Sequence, residues 1–227
     1  MHILALFDID NTLIRSSVGH KLAYREAVKD IYGIDADMNV INHHGMTDQE
    51  IIFKVLRKYK LDDETIASRL KRCMEVMALK YAEIVKSENI NILNGVGELL
   101  TKFQQNDIIC GLVTGNLEKI ARAKLKKIGI DQFFKIGGFG SDHMDRTELA
   151  KLAIKRAEGK FNFGSNRSIF LFGDAPQDMR AGKAAGARSI GVTTGVFSRE
   201  QLESAGADEV FPSMADIDHI FKFIGLQ

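Results

Sequence analysis

The sequence predicts an α/β fold: a Rossmann-like parallel sheet with helices on both faces, into which an all-helical domain is inserted. Three observations lead to this prediction. Apolar strand-like runs alternate with amphipathic helical patterns from about residue 91 onward. Residues 16–86 carry helical periodicity without a strand signal, and residues 3–7 form an apolar run that predicts a first strand. Runs that are continuously apolar fit a sheet covered on both faces.

The inserted segment contains three predicted helices. The first carries an apolar stripe and is ended by Gly33, and the second begins at the capping-box pattern Thr47-Asp48-Gln49-Glu50. The third and longest spans about 66–85. We therefore predict two domains: an α/β core made of residues 1–15 and 87–227, and a helical cap made of residues 16–86.

The remaining core elements follow the first strand in a regular alternation, which indicates parallel pairing with helical crossovers. Helices are predicted at 95–105, 117–128, 146–158, 177–185, 199–205 and 214–224, and strands at 108–113, 134–138, 168–172, 188–192 and 208–211.

The composition argues against several classes of protein. The chain has 227 residues and a formal net charge of +1, with basic and acidic residues interspersed, which argues against nucleic acid as a partner. The apolar run at residues 3–7 is too short for a signal peptide or a membrane span. Cys73 and Cys110 lie in apolar patterns without metal-ligand spacing and are predicted to be buried, reduced thiols. We expect a cytoplasmic protein without a membrane partner; its oligomeric state is left open.

Acidic residues follow two of the predicted strands. Asp8 and Asp10 come after the first strand, and Asp174 and Asp178 come after the strand at 168–172. Ligands of such sheets bind at the carboxyl ends of the strands, so the four carboxyl groups are expected to meet at one edge. They would repel one another without a cation, and oxygen ligands without histidine or cysteine suit Mg²⁺.

A second group of residues suits an anion. Thr114, Gly115 and Asn116 follow the strand at 108–113 and precede a helix, where a hydroxyl and backbone amides can bind phosphate oxygens. Arg146, at the start of the helix that follows the short strand at 134–138, can add positive charge. A hard dication beside an anion site is the equipment of phosphoryl transfer.

These residues carry a resemblance. DIDNT at 8–12, the threonine of VTGN at 114, and GDAPQD at 173–178 resemble three motifs of the haloacid-dehalogenase-like hydrolase superfamily, in order and over essentially the whole chain. The cap with GMTD at 45–48 and the segment at 193–211 resemble its phosphoglycolate-phosphatase-like branch.

The resemblance implies a mechanism for hydrolysis of a small phosphorylated metabolite. Asp8 is implied as the nucleophile that forms an aspartyl-phosphate, and Asp10 as the general acid and then the general base. Mg²⁺ is implied to be held by Asp8, the carbonyl of Asp10, Asp174 and, directly or through water, Asp178. Thr114 is implied to bind the transferring phosphoryl group.

The sequence departs from the family pattern at one position. Many members hold the nucleophile and the phosphate with a lysine, whereas the stretch Asp145-Arg146-Thr147-Glu148 has none. Arg146 is the expected replacement, as a planar fork and not a point charge. Lys151 is the weaker candidate.

The cap is expected to contribute to substrate binding and gating. Thr12, Gly45, Thr47 and Asp48 are candidate substrate contacts, although Thr12 is also expected to support the loop after the first strand. Opening and closing is expected about hinges near residues 15–18 and 86–92, with the 43–48 loop reaching the site. His43 and His44 are interpreted as loop or surface residues, and whether they contact the substrate is left open.

Two alternatives remain at this stage. A sugar-phosphate phosphomutase shares every core residue, and a phospho-accepting signalling receiver also combines acids, a threonine and a basic residue on a parallel sheet. A receiver is shorter, lacks a cap and needs no general acid two residues after the nucleophile. A dehalogenase of the superfamily lacks Asp10. The glycines at 137–140 lack the spacing of a dinucleotide loop, so NAD is not expected.

Overall fold

The computed structural model describes residues 2–15, 18–161 and 167–226. Within these ranges six strands form one parallel sheet in the order β5-β4-β1-β6-β7-β8. The strands of this sheet are β1 (His2–Phe7), β4 (Ile109–Thr114), β5 (Phe134–Phe139), β6 (Arg167–Gly173), β7 (Arg188–Val192) and β8 (Glu209–Phe211).

Both faces of the sheet are apolar because both are covered by helices. In β1, Ile3, Ala5 and Phe7 face one layer and belong to the larger core cluster, whereas Leu4 and Leu6 face the other. The helices are α1 (Gly19–Tyr32), α2 (Asp48–Lys58), α3 (Asp63–Ile84), α4 (Val96–Gln105), α5 (Glu118–Lys127), α6 (Arg146–Phe161), α7 (Pro176–Ala184), α8 (Arg199–Ser204) and α9 (Ile217–Ile224). Helices α4, α5 and α9 contribute to the first layer, and α6 and α7 contribute to the second. The predicted doubly covered parallel sheet is therefore confirmed.

The helices of the predicted cap form as the sequence indicates. Gly33 ends α1 in the left-handed conformation with φ of 73°, which glycine adopts at little cost. Thr47 caps α2, because its hydroxyl accepts a hydrogen bond from the amide of Glu50. The reciprocal half of the predicted capping box is replaced by an ion pair of 2.7 Å between Glu50 and Lys54.

Two short strands, β2 (Ile14–Arg15) and β3 (Asn91–Ile92), carry no recognisable sequence signal. They pair antiparallel, with Ile14 opposite Ile92 and Arg15 opposite Asn91. This two-stranded ribbon joins the chain where it enters and leaves the helical segment, near the two predicted hinges. Ser16 and Ser17, which belong to the first hinge, lie outside the described residues. The division into core and cap domains stays a prediction.

Two other expectations can be compared with the structure. Cys73 and Cys110 are buried and free, as predicted. Among the described residues, no helix combines the length and the apolar character that crossing a membrane requires.

Candidate active site

The sheet order brings three functional segments to one edge. Strand β1 lies between β4 and β6, so Asp8, which follows β1, is flanked by Thr114 at the end of β4 and by Asp174 after β6. The amide of Asp8 donates to the carbonyl of Phe172 over 2.9 Å, which extends the ladder to the site. The chain then turns sharply at Asn11, whose φ is 60°, a conformation that asparagine tolerates well.

Three carboxyl groups form a buried cluster. Asp8, Asp174 and Asp178 each offer an oxygen, and these oxygens lie within 4.8 Å of one another. Asp178 is oriented by the amide of Ala175, which donates to its Oδ2 over 3.1 Å at the start of α7. Its Oδ1 is buried and has no hydrogen-bond partner among the described residues.

The cluster is electrostatically unfavourable without a cation. Burial raises the pKa of Asp174 to about 8, and the neighbouring Asp8 and Asp178 add to the rise. Burial likewise raises the pKa of Asp178 to about 7 against the opposing charge of Arg146. The pKa of Asp8 is raised by burial, and Arg146 again opposes the rise. Three close carboxyl groups, one with a buried oxygen that accepts no hydrogen bond from the described residues, fit a hard dication such as Mg²⁺.

Arg146 lies at the centre of this cluster. It is buried at the first residue of α6, donates to Asp8 Oδ1 over 2.5 Å and places Nε 3.1 Å from Asp178 Oδ1 without hydrogen-bond geometry. It also donates to the carbonyl of Gly45 over 3.1 Å. Lys151, the weaker candidate, pairs instead with Glu148 at the surface. Of the two basic candidates, the structure brings Arg146 to the predicted site.

Asp10 has different surroundings. Lys124 donates to both of its carboxylate oxygens, over 2.8 and 2.7 Å, and Asn116 Nδ2 donates to Oδ2 over 2.8 Å. Although burial raises the pKa of Asp10, the charge of Lys124 and the hydrogen bonds from Lys124 and Asn116 outweigh burial and hold this pKa well below its ordinary value. Asp10 is therefore a carboxylate in this structure.

Sequence reasoning missed Lys124 and His20. The signal for Lys124 was its position on the apolar stripe of α5 with Ile120, Ala121 and Leu125, where all four side chains are buried. A charged residue on a core-facing stripe is rarely tolerated without a partner. His20 carries no comparable signal, because only the packing of α1 brings it near the site.

Thr114 and Asn116 form a small hydrogen-bonded network beside the cavity, and Asn116 lines it. The Thr114 hydroxyl is fully buried and accepts from both nitrogens of Asn116, over 3.3 Å from the amide and 2.8 Å from Nδ2. A hydrogen bond with Thr114 also acts to lower the pKa of Asp8. The side chain of Asn116 is thus engaged with Asp10 and Thr114, and its predicted role toward phosphate stays untested.

A cavity of about 260 Å³ lies between the sheet edge and the helical segment. This volume is near the lower end for small-molecule sites and suits a small substrate. The residues that line it include Asp8, Asp10, Asp174, Arg146, Gly115, Asn116, Asn11, His20, Lys21, Met38, His43, His44, Gly45, Met46, Asp48 and Ile51.

The candidate substrate contacts divide into two groups. Gly45 and Asp48 line the cavity, together with His43 and His44. Thr12 and Thr47 are buried behind it. The Thr12 hydroxyl lies 3.5 Å from Asp174 Oδ1, and the Thr47 hydroxyl donates to the carbonyl of Met144 over 3.1 Å. These contacts favour supporting roles for both threonines, and their assignment as substrate contacts stays a prediction.

Comparison with known proteins agrees with this geometry. The sequence matches the family model described as haloacid dehalogenase-like hydrolase over residues 5–192. A phosphoglycolate phosphatase from Pectobacterium atrosepticum is 27% identical over 212 residues, covering 93% of this chain and 88% of that protein. Other curated relatives carry the same name, in agreement with the predicted branch.

Solved structures support the fold. A hydrolase from Pseudomonas syringae has 24% identity and a TM-score of 0.71, covering 97% of this chain and 98% of that one. A protein from Bacteroides vulgatus, provisionally named a β-phosphoglucomutase, has 23% identity and a TM-score of 0.68, covering 98% of this chain and 88% of that one. The family model covers far more than half of the sequence, so the chain belongs to the haloacid dehalogenase-like hydrolase family, and the predicted resemblance and hydrolase class are confirmed.

Proposed function

We propose that this protein is a Mg²⁺-dependent phosphatase that hydrolyses a small phosphate monoester through an aspartyl-phosphate on Asp8. The observation that carries the proposal is the pair Asp8 and Asp10 on one cavity, each with a different cationic partner. A phosphoryl group bound there would meet a nucleophile, a proton carrier and a guanidinium. Relatives named phosphoglycolate phosphatase support a small substrate of the phosphoglycolate type.

The residues that would hold Mg²⁺ are Asp8, Asp174 and Asp178, with the carbonyl of Asp10. When bound, the ion would offset the charge of the carboxylates and of the phosphoryl oxygens. Arg146 would orient Asp8 and add a donor for the phosphoryl group. Thr114 would bind that group or orient Asp8 toward it.

The reaction would proceed in two halves. Asp8 would attack phosphorus, the ester P–O bond would break, and Asp10 would give its proton to the leaving oxygen. Water would then attack the aspartyl-phosphate while Asp10 takes a proton from it, which releases phosphate and restores Asp8. The carboxylate form of Asp10, which Lys124 and Asn116 favour, suits the second half. The first half needs the protonated form, and an incoming phosphoryl group favours it because negative charge raises the pKa of a nearby acid.

A phosphomutase is the second candidate. The lining of the cavity by Lys21, His43 and His44 is the observation in its favour, because a lysine and two imidazole rings of the helical segment can donate hydrogen bonds to a second phosphate group. Isomerisation of a sugar phosphate without net phosphate release would favour this candidate. The signalling receiver lacks support, because the family match covers residues 5–192.

The test is phosphate release from a panel of small phosphomonoesters, with Mg²⁺ and with a chelator, for the wild type, Asp8→Asn and Asp10→Asn. Release that requires Mg²⁺ and is lost in both variants would support the proposal, and the panel would rank substrates. No release from folded wild-type protein would overturn it. Release that survives in Asp8→Asn would mean that another residue is the nucleophile.

Two further assignments belong to this proposal. The partner would be a small phosphorylated metabolite. A cytoplasmic location is supported by the two buried free thiols, which are typical of a reducing compartment.

A further inference from the structure

Lys124 is a fully buried cation that the mechanism above does not use. Its side chain has no solvent exposure, and its ammonium group donates to Asp10 Oδ1, Asp10 Oδ2 and Asn116 Oδ1 over 2.7 to 2.8 Å. The ring of Tyr81 lies 5.9 Å from the same nitrogen. Asp10, Asn116 and Tyr81 thus come from three different segments of the chain and contact the same ammonium group.

The ammonium also reaches the helical segment. His20 Nδ1 lies 3.2 Å from Lys124 Nζ, and because an ammonium group has donors only, Nδ1 accepts and the ring proton is on Nε2. That nitrogen lies 3.1 Å from Asp48 Oδ1, and Asp48 Oδ2 accepts from the amide of Leu117 over 2.8 Å. A chain of polar contacts therefore connects Asp10 to Asp48, the first residue of α2.

Packing alone does not account for a lysine at this position. The neighbours of Lys124 on α5 are apolar, and a buried apolar side chain of similar volume is often as stable as a buried ion pair. The positive charge of Lys124 explains why Asp10 stays ionised against burial, but charge alone does not explain why both carboxylate oxygens of Asp10 are bound. What Lys124 adds is orientation, because two hydrogen bonds to the two oxygens fix the rotation of the carboxylate.

We propose that Lys124 is a positioning residue that holds the Asp10 carboxyl group in the orientation needed to pass a proton to and from the reacting oxygen. The inference rests on the proposed function. Lys124 acts through Asp10 and Asn116 and touches no reacting atom. Asn116 also donates to the same carboxylate, at Oδ2.

A positioning role has a specific kinetic signature. The alkoxide leaving group of an alkyl phosphate needs a proton as the ester bond breaks, whereas the stable phenolate of p-nitrophenyl phosphate leaves without one. Loss of a well-placed general acid therefore slows alkyl ester cleavage much more than aryl ester cleavage. A mere loss of folding or of substrate binding would slow both esters by similar factors.

The experiment compares kcat/KM for the best alkyl phosphate of the panel and for p-nitrophenyl phosphate in three variants. Lys124→Met removes the donors at similar volume, Lys124→Gln keeps a donor, and Lys126→Met is the control, an exposed lysine two residues further along α5. We expect Lys124→Met to lose roughly tenfold to hundredfold more activity on the alkyl than on the aryl ester, which is part of the usual contribution of general acid catalysis. Lys124→Gln should recover part of this difference, and Lys126→Met should match the wild type.

The outcomes separate the two proposals. Equal losses on both esters, or a relative gain on the alkyl ester, would overturn the positioning role while leaving the phosphatase in place. A wild type that cleaves neither ester would overturn the proposed function and this role with it. Circular dichroism checks that each variant is folded, and if Lys124→Met is not, the Lys124→Gln ratio decides in the same way.

Discussion

Among single residues, the site combines aspartates whose surroundings shift their pKa values in opposite directions. Lys124 and Asn116 stabilise the charged form of Asp10. Asp174 and Asp178 share a buried cluster in which, even with Arg146 present, the neutral form is favoured in the absence of a metal ion. Asp10 is therefore suited to proton transfer, and the cluster of Asp8, Asp174 and Asp178 is suited to binding a metal ion.

A pH-dependent effect of Mg²⁺ on stability follows from the cluster. The pKa values of about 8 for Asp174 and about 7 for Asp178 lie above the ordinary value of 3.8, so the folded state binds more protons than the unfolded state between these limits. The metal-free protein is therefore expected to lose stability as pH rises through this window. Mg²⁺ competes with those protons, so its stabilising effect should grow over the same window.

The measurement is the midpoint of thermal unfolding with Mg²⁺ and with chelator at about pH 6 and about pH 8. The increase in midpoint that Mg²⁺ causes should be several degrees larger at the higher pH, at roughly 2–4 °C per kcal/mol for a chain of this size. Asp174→Asn should abolish most of this difference. An effect of Mg²⁺ that is equal at both pH values would contradict the prediction.

Among the secondary-structure elements, helix α2 begins at a cap residue that makes two separate hydrogen bonds. Its cap Thr47 stabilises the first turn and also donates to Met144 in the loop before α6. Both hydrogen bonds are made by Thr47 Oγ1, and Thr47 is buried. The Thr47 side chain therefore stabilises both the first turn of α2 and the contact between α2 and the loop before α6.

Thr47→Ala should lower the free energy of unfolding by about 1–2 kcal/mol, because a cap is lost and a buried carbonyl loses its donor. Urea denaturation measures this loss. The matched variant Thr47→Ser keeps the hydroxyl and should retain most of the stability. Similar losses in both variants would show that the methyl group, not the hydrogen bonds, matters at this position.

At the scale of the whole molecule, the 43–49 segment lies across several loops of the sheet edge. The carbonyl of His44 accepts from Gln177 over 2.8 Å, the amide of Asp48 donates to Gly115 over 2.8 Å, and Gln49 donates to Gly140 over 2.6 Å. These contacts involve the first turn of α7 and the loops that follow β4 and β5. The predicted gating requires the 43–49 segment to close over the cavity, and closure would depend on the close approach of this segment to the sheet edge.

Gly115→Ala should interfere with that approach, since a Cβ at this position would lie 2.3 Å from the carbonyl oxygen of Met46. We expect kcat/KM for the preferred substrate to fall at least about tenfold, because misplacement of a closing segment by a fraction of an ångström disturbs the reacting geometry. Gly97→Ala in α4 is the control, as its Cβ would meet nothing within 4 Å. Unchanged activity in Gly115→Ala would contradict a role for closure.

The amino-acid sequence is sufficient to predict the fold class, the order of the elements and the placement of Asp8, Thr114 and Asp174 at strand ends. These features could be predicted because apolar periodicity is local and because parallel strands bring their carboxyl ends to one edge. The contacts of Arg146 with Asp8 and of Lys124 with Asp10 are seen only in the folded structure. Such contacts join residues more than a hundred positions apart, so they depend on how helices pack against the sheet and not on any local pattern. The same reason explains the β2–β3 ribbon, whose two-residue strands are stabilised by each other and not by their own sequence.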